Sequence, residues 1–217
     1  MPNPTIEDYV KTIYMLQRKG EKVTTSALAL QLQLADASIT DMLKKLSSKG
    51  FVRYERYQGV ELTGSGRRMA LKIVRRHRLW EMFLVEFLGF SWDKIHDEAE
   101  RLEHVTSDEL EHQLDKVLGF PTVDPHGDPI PTINGELDHR KETPLADYDS
   151  GAKVRIYRVS DHDPEILQHA ARMGLALNTK LVISEKMRFD GSMVVRVGSK
   201  QRFLSREVAK SIFVEPV

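Results

Sequence analysis

The stretch Trp92-Asp-Lys-Ile-His-Asp-Glu-Ala-Glu-Arg-Leu-Glu-His sets imidazoles and carboxylates at a spacing that can hold a cation. His96, Glu100 and Glu103 stand at i, i+4 and i+7, so a helix brings them to one face, with His104 beside them. A helix that packs on a core normally carries apolar residues on such a stripe. Upstream, His77 and Glu81 form another i, i+4 pair. The chain has no cysteine, which excludes disulfides, zinc knuckles and thiolate catalysis. Carboxylate oxygen and imidazole nitrogen without sulfur suit a harder divalent ion, manganese(II) or iron(II). A single surface His–Glu pair is ordinarily just solvated; two convergent pairs in one region favour ligation.

A second chemistry is written earlier in the chain. Ala35-Asp-Ala-Ser-Ile-Thr-Asp-Met-Leu-Lys-Lys-Leu has the make-up of a helix that enters a DNA major groove. Ala37, Ser38, Thr40 and Asp41 fall on the outer face, while Ile39, Leu43 and Leu46 face a core. Ala37 suits a thymine methyl group. Lys44, Lys45 and Lys49, with Arg53 and Arg56 behind them, suit phosphates, and Thr25 at the start of the preceding helix adds a polar contact. Charge is distributed to match, although the whole chain is neutral. Residues 1–78 hold 15 Lys/Arg against 7 Asp/Glu, and residues 79–150 hold 5 against 18. Residues 151–217 hold 12 against 7. A basic N-terminal block suits a polyanion and an acidic, histidine-rich middle suits a cation.

The elements that position these residues can be read from periodicity. Ile6, Tyr9, Val10, Ile13, Tyr14 and Leu16 predict a helix from Thr5 to about Lys19-Gly20. A second helix carries Leu28, Leu30 and Leu32, capped by Thr24 or Thr25; a third is capped by Asp36 or Ser38 and stops at Lys49-Gly50. Phe51 to Tyr57, Gln58-Gly59 and Val60 to Thr63 predict a β-hairpin, completing the order of a winged helix-turn-helix. A long helix from Gly64 to about Leu88, one at about 92–104 and one capped by Thr106 or Ser107 follow. Residues 119–150, rich in proline and glycine, read as a linker. Beyond Gly151, strands at Lys153–Val159, Lys180–Ser184, Met193–Val197 and Ser211–Val214, with a helix at about Pro164–Met173, predict a small β-barrel. With 217 residues, several compact units are expected. No run of 18 apolar residues and no signal pattern occurs, so a cytoplasmic protein without a membrane partner is expected.

Four stretches resemble the diphtheria-toxin-repressor family of iron and manganese regulators. They are Glu7-Asp-Tyr-Val-Lys-Thr-Ile-Tyr, Arg76-His-Arg-Leu-Trp-Glu, His96-Asp-Glu-Ala-Glu-Arg-Leu-Glu-His-Val-Thr-Ser-Asp-Glu, and Gly119-Phe-Pro-Thr through Pro129-Ile-Pro. They run in the family's order, and the resemblance extends over residues 4–217. It implies a mainly α fold with a small β part. A winged helix-turn-helix occupies residues 1–72, a helical metal-binding and dimerisation domain residues 73–140, and an SH3-like (FeoA-like) β-barrel residues 151–217. It also implies one metal site at Asp8, Glu100, Glu103 and His104 and another at His77, Glu81 and His96, with Glu165 and Gln168 contributing from the barrel. Asp124 and His126 match ligand positions of some members.

Iron-type members place methionine where this chain has Asp8 and cysteine where it has Glu100. Exchanging soft ligands for carboxylates moves preference to manganese, with iron(II) the other candidate. Some short manganese regulators carry glutamate where this chain has Lys11. A lysine ammonium is no ligand, so two separated sites are expected rather than one two-metal cluster. The reading is a metal-dependent repressor, not an enzyme, that binds palindromic operator DNA as a homodimer and controls metal-homeostasis genes such as uptake transporters. Its rivals are a metal-independent winged-helix regulator with an effector-binding barrel and a manganese metalloenzyme. No phosphate loop or nucleophile motif supports the latter.

Overall fold

Tyr9, Val10, Ile13, Tyr14 and Leu16 form the buried stripe of α1 (Ile6–Arg18), whose first turn carries Glu7 and Asp8. In α2 (Thr25–Leu32), Thr24 is the cap, its hydroxyl accepting the Ala27 N–H at 3.1 Å. The helix α3 (Asp36–Ser48) starts from Ala35 without a side-chain cap. The capping expected of Asp36 or Ser38 is therefore absent: both sit inside the first turn, where the Asp36 carboxylate still complements the positive helix end. The computed structural model describes residues 5–18, 20, 22–55, 58–92, 94–138, 142–161 and 163–217.

Strands β1 (Val52–Glu55) and β2 (Gly59–Leu62) pair antiparallel, with Arg53 opposite Glu61. The chain then enters α4 (Gly64–Glu86), capped by Thr63. Residues from α1, α2, α3, the hairpin and the first half of α4 bury one core, including Ile13, Leu28, Ile39, Leu43 and Leu71. The second half of α4 supports α5 (Ile95–Glu103) and α6 (Asp108–Val117), the latter capped by Ser107. Because α4 runs unbroken through residue 72, the N-terminal unit and the helical unit share one rod. Glu111 on α6 locks onto that rod, accepting from Arg75 Nε at 3.0 Å and Arg76 Nε at 2.9 Å.

The proline-rich segment is more than a spacer. Asp124 to Pro129 makes a tight turn laid on the C-terminal unit, where the Val159 N–H donates to the His126 carbonyl at 2.9 Å. Gly127 has φ +89, and a Cβ there would sit 2.1 Å from the Tyr157 carbonyl oxygen. Only glycine allows both the conformation and the approach.

The C-terminal unit contains β3 (Lys153–Val159), α7 (Pro164–Met173), β4 (Lys180–Lys186), β5 (Met193–Val197), β6 (Lys200–Leu204), α8 (Arg206–Lys210) and β7 (Ile212–Pro216). Its antiparallel sheet has the order β6-β5-β4-β3-β7, and register shifts at Ile156/Arg158 and Ile183/Glu185 bend it around a core of Ile156, Ile183, Val195 and Val214. The strand β6 and helix α8 escape the sequence reading. In β6 only Leu204 is buried, so no apolar alternation marks this edge strand.

Gly66 sets how closely α4 approaches the wing, since a Cβ there would lie 2.0 Å from the Phe51 carbonyl oxygen. Gly66→Ala is expected to destabilise by about 1–3 kcal/mol, lowering the melting temperature by several degrees. Gly64→Ala, where an added Cβ meets only Arg68 Nη1 at 3.6 Å, is expected to leave it nearly unchanged. Thermal melts of the two variants compare them directly.

Candidate metal centre

The start of α1 and the end of α5 meet at the first cluster. His104 follows the last residue of α5, and its Nε2 lies 2.8 Å from Asp8 Oδ1 and 3.4 Å from Glu103 Oε1. Its Nδ1 lies 2.7 Å from Glu7 Oε2. Thr5, just before α1, donates its backbone N–H to Asp8 Oδ2 at 2.5 Å and fixes the carboxylate's direction. Asp8, Glu100, Glu103 and His104 each offer an atom, all within 4.8 Å of one another. The bond to Asp8 is the main cause raising the His104 imidazole to about 9; burial opposes it, and Glu7 and Glu103 reinforce it. Burial pushes the Asp8 carboxyl up, but His104 and the Thr5 N–H outweigh it and hold the group below the usual range.

Lys11, one turn further along α1, brings its own cation to this place. Its Nζ donates to Glu100 Oε2 at 2.7 Å and to both oxygens of Glu103 at 2.8 and 2.7 Å, and sits 3.4 Å from His77 Nδ1. Burial pushes the amine down, but the Glu103 and Glu100 charges outweigh it and raise it above its ordinary value. Glu103 is fully buried and also meets His77 Nδ1 at 2.5 Å. An ammonium thus stands between the two clusters and binds the carboxylates that a bridging ion would need.

The second cluster lies across α4, α5 and the C-terminal unit. His77 Nε2 approaches Glu81 Oε1 and His96 Nδ1, both at 3.1 Å. His77, His96 and Glu100 form one group with ligand atoms within 4.8 Å, and Glu81, His96 and Asp161 form another. Burial and the Lys11 charge push the His77 imidazole down, yet Glu81 and Glu103 raise it to about 9. His126 reaches in from the Asp124–Pro129 turn, its Nε2 4.0 Å from Glu81 Oε1. Glu81 Oε2 and both His126 nitrogens are buried with no hydrogen-bond partner among the described residues. Each such orphan costs about 1–3 kcal/mol in a dry interior. Asp124 is pushed well above the usual carboxylate range, first by burial and then by the Asp128 and Glu81 charges. Orphaned donors among crowded carboxylates fit a divalent cation in both charge and chemistry.

The structure brings Asp8, Glu100, Glu103 and His104 together as one set, and His77, Glu81 and His96 as another. Asp124 is buried beside the second, but its Oδ1 accepts the His126 and Asp128 N–H groups at 2.9 Å each, and its Oδ2 lies 3.3 Å from Arg78 Nε. It shapes the turn that presents His126. Glu165 and Gln168 lie exposed on α7, lining a cavity of about 790 Å³ with His169 and Arg172 rather than joining either cluster. Asp161, two residues past β3, is the barrel residue that does join, and it escaped the sequence reading because no pattern links it to α4 or α5. The role of Lys11 as a resident cation escaped as well.

On α3, Ala37, Ser38, Asp41, Lys44, Lys45 and Lys49 are exposed along one side. Thr40 is half-buried and donates its hydroxyl to the Asp36 carbonyl at 2.9 Å, and Lys44 pairs with Asp41 at 3.2 Å. Arg53 is exposed on the wing, Thr25 is half-buried at the start of α2, and Arg56 lies outside the described residues.

With this geometry in hand, comparison with known proteins is specific. Residues 2–60 match the family model "Iron dependent repressor, N-terminal DNA binding domain", residues 63–132 "Iron dependent repressor, metal binding and dimerisation domain", and residues 143–216 "FeoA domain". The chain is 29% identical over 225 residues to the iron-dependent repressor IdeR of Mycobacterium leprae, covering 98% of this chain and 97% of that protein. It is 30% identical over 225 residues to the diphtheria toxin repressor of Corynebacterium glutamicum, covering 98% and 96%. Among solved structures, a manganese-dependent transcriptional repressor in complex with manganese aligns with a TM-score of 0.91 at 38% identity, covering 98% of this chain and all of that one. The manganese regulator SloR aligns with a TM-score of 0.80 at 32% identity, covering 99% of each chain.

Two expectations follow from the electrostatics. Removing the Lys11 charge with Lys11→Met leaves buried Glu103 short of its cation and should destabilise chelator-treated protein by about 3 kcal/mol. A melt run with and without manganese should show the deficit mainly in the metal-free sample; equal melts for variant and wild type would contradict this. The imidazoles of His77 and His104 are raised from 6.5 to about 9. Their charged forms stabilise the metal-free fold fully below about pH 6.5, and that contribution is lost as pH rises through 9. A ligating His104 must shed its proton, so manganese affinity should rise by up to about tenfold per pH unit over this window. Calorimetry in buffers of different ionisation enthalpy should report proton release; a pH-independent affinity with none released would refute it.

Proposed function

The chain belongs to the iron-dependent repressor family, and on that premise we propose that it is a manganese(II)-activated repressor with two separate metal sites. It is a metal-sensing transcriptional repressor with a DNA-binding domain, a metal-binding and dimerisation domain and a C-terminal FeoA domain. The observation that carries the finer reading is the group Asp8, Glu100, Glu103 and His104, whose atoms converge within 4.8 Å from two different units of the fold. The all-oxygen-and-nitrogen donor set supports manganese over iron(II), because Asp8 and Glu100 replace the soft ligands of iron-type members. The likeness to manganese-dependent repressors supports the same choice.

When bound, the ion supplies a divalent charge that the carboxylates of α1 and α5 share. Asp8 would then hold α1 against α5, His104 would give up its proton and donate through nitrogen, and Glu103 would keep Lys11 as its counter-ion. Because α1 packs on α2, α4 and β2, fixing α1 fixes the whole DNA-binding unit on the α4 rod. Exposed Phe87, Leu88, Phe90 and Val105 lie on the helical unit and supply an apolar surface for the second subunit. In the dimer the two α3 helices then face successive major grooves of a palindromic operator. Glu81, His126 and Asp161, with His77 and His96 beside them, form the second site and tie the C-terminal unit to α4.

We read the protein as non-enzymatic, since both clusters have enough donors to surround an ion, whereas a catalytic ion keeps an open position. No helix among the described residues is long and apolar enough to cross a membrane. Action on chromosomal DNA in the cytoplasm, at genes for metal uptake, fits this reading.

The test is fluorescence anisotropy with a duplex selected from random sequence by manganese-loaded protein. Manganese should tighten binding on the order of 5–150-fold, the range of ordinary coupling energies, and Asp8→Ala should remove that gain. DNA affinity indifferent to chelator would falsify the proposal.

A further inference from the structure

Beside the second cluster, one carboxylate joins all three units of the fold. Asp128 is 3% exposed, and its Oδ1 meets Arg158 Nη1 of β3 at 3.0 Å, Arg78 Nη2 of α4 at 3.3 Å and Arg18 Nη1 of α1 at 3.4 Å. Glu142 closes the network, with Oε1 2.6 Å from Arg18 Nη2 and Oε2 3.1 Å from Arg158 Nη2. Arg18 and Arg158 therefore share two carboxylates between them. The Arg158 guanidinium also lies over the Phe213 ring at 3.8 Å, which holds it in place.

The other end of this arrangement reaches the candidate metal ligands. Asp128 belongs to the same turn as His126, and its N–H donates to Asp124 Oδ1 at 2.9 Å. Arg78 spans both acids, with Nε 3.3 Å from Asp124 Oδ2. The turn has little freedom to move alone, because Gly127 is pressed on Tyr157 and the His126 carbonyl is bonded to Val159. A displacement of His126 must carry Asp128 with it, and Asp128 holds Arg18 in the last turn of α1, within the DNA-binding unit.

We propose that Asp128 is a positioning residue that transmits the state of the second metal cluster to the DNA-binding unit through Arg18. Arg158 and Arg78 hold the carboxylate in place while it does so. The inference rests on the proposed metal-activated DNA binding and gives that activation a second contact on α1, required together with Asp8. It accounts for a buried carboxylate that meets one arginine from each of the three units. Removing the charge without changing the shape, as in Asp128→Asn, should leave manganese binding intact and uncouple it from DNA.

The experiment measures two quantities on Asp128→Asn, Arg18→Gln and their double variant. Manganese stoichiometry and affinity come from isothermal titration, and DNA affinity with and without manganese from anisotropy on the selected duplex. Both single variants should bind manganese with wild-type stoichiometry and within about threefold of wild-type affinity. Most or all of their manganese-dependent gain in DNA affinity should vanish, and the double variant should lose no more than the worse single, as residues acting through one contact do. By linkage, the gain in manganese affinity caused by DNA should fall by the same factor. A purely structural role would instead lower DNA affinity equally with and without the metal, and that result overturns the proposal. So does a wild-type gain in both single variants. Should Asp128→Asn fail to fold, Arg18→Gln, at the partly exposed end of α1, decides alone. A wild-type protein that shows no manganese-dependent gain at all refutes the function proposed above instead, and this inference with it.

Discussion

Glu103 is a fully buried carboxylate at the meeting point of three helices, and the fold around it must supply positive charge. Leaving such a group unpaired in a dry interior costs more than any single apolar contact returns. Lys11 and His77 meet that demand, one from α1 and one from α4. The α1, α4 and α5 helices are thereby joined by charge at Glu103, in addition to the apolar cores that pack α1 and α5 on α4. Such a joint responds to ions, because its strength depends on which cations are present.

The same logic is repeated across the rod. Glu81 is buried among His77, His96 and His126, and these imidazoles hold it well below the usual carboxylate range despite its burial. Asp124 and Asp128 divide along one turn: burial and then neighbouring acids raise the first, while three arginines hold the second down in spite of burial. Groups so close and so differently placed make the turn sensitive to an added charge. The α4 rod and the glycine-pinned turn connect these groups to the DNA-binding unit and to the C-terminal unit.

Local patterns were legible in the chain itself. His77 with Glu81, and His96 with Glu100 and Glu103, lie at helical spacing, so their shared faces follow from periodicity alone. The winged-helix order, the long helix and four of the five C-terminal strands were legible for the same reason. What could not be read depends on contacts between segments distant in sequence. Asp161 enters the second cluster from just past β3, some eighty residues of chain beyond Glu81, where no local pattern reaches. Glu165 and Gln168, placed there by family resemblance, stand exposed on α7 instead. Lys11 was noticed as a departure from a ligand pattern, but its role as a counter-ion to two glutamates appears only when α1 and α5 are side by side. The edge strand β6 has no buried stripe and so leaves no periodic trace.

The central claim is that an ion is held between α1 and α5 by Asp8, Glu100, Glu103 and His104, separately from one held near Glu81 and His126. The most direct measurement is an anomalous difference map, recorded at the manganese edge, from crystals grown with manganese. Two peaks per protomer are expected, one in contact with Asp8 and His104 and the other with Glu81, His126 and Asp161, with Lys11 between them. A single two-metal peak on Glu103 with Lys11 displaced, or no peak touching Asp8, would contradict the account.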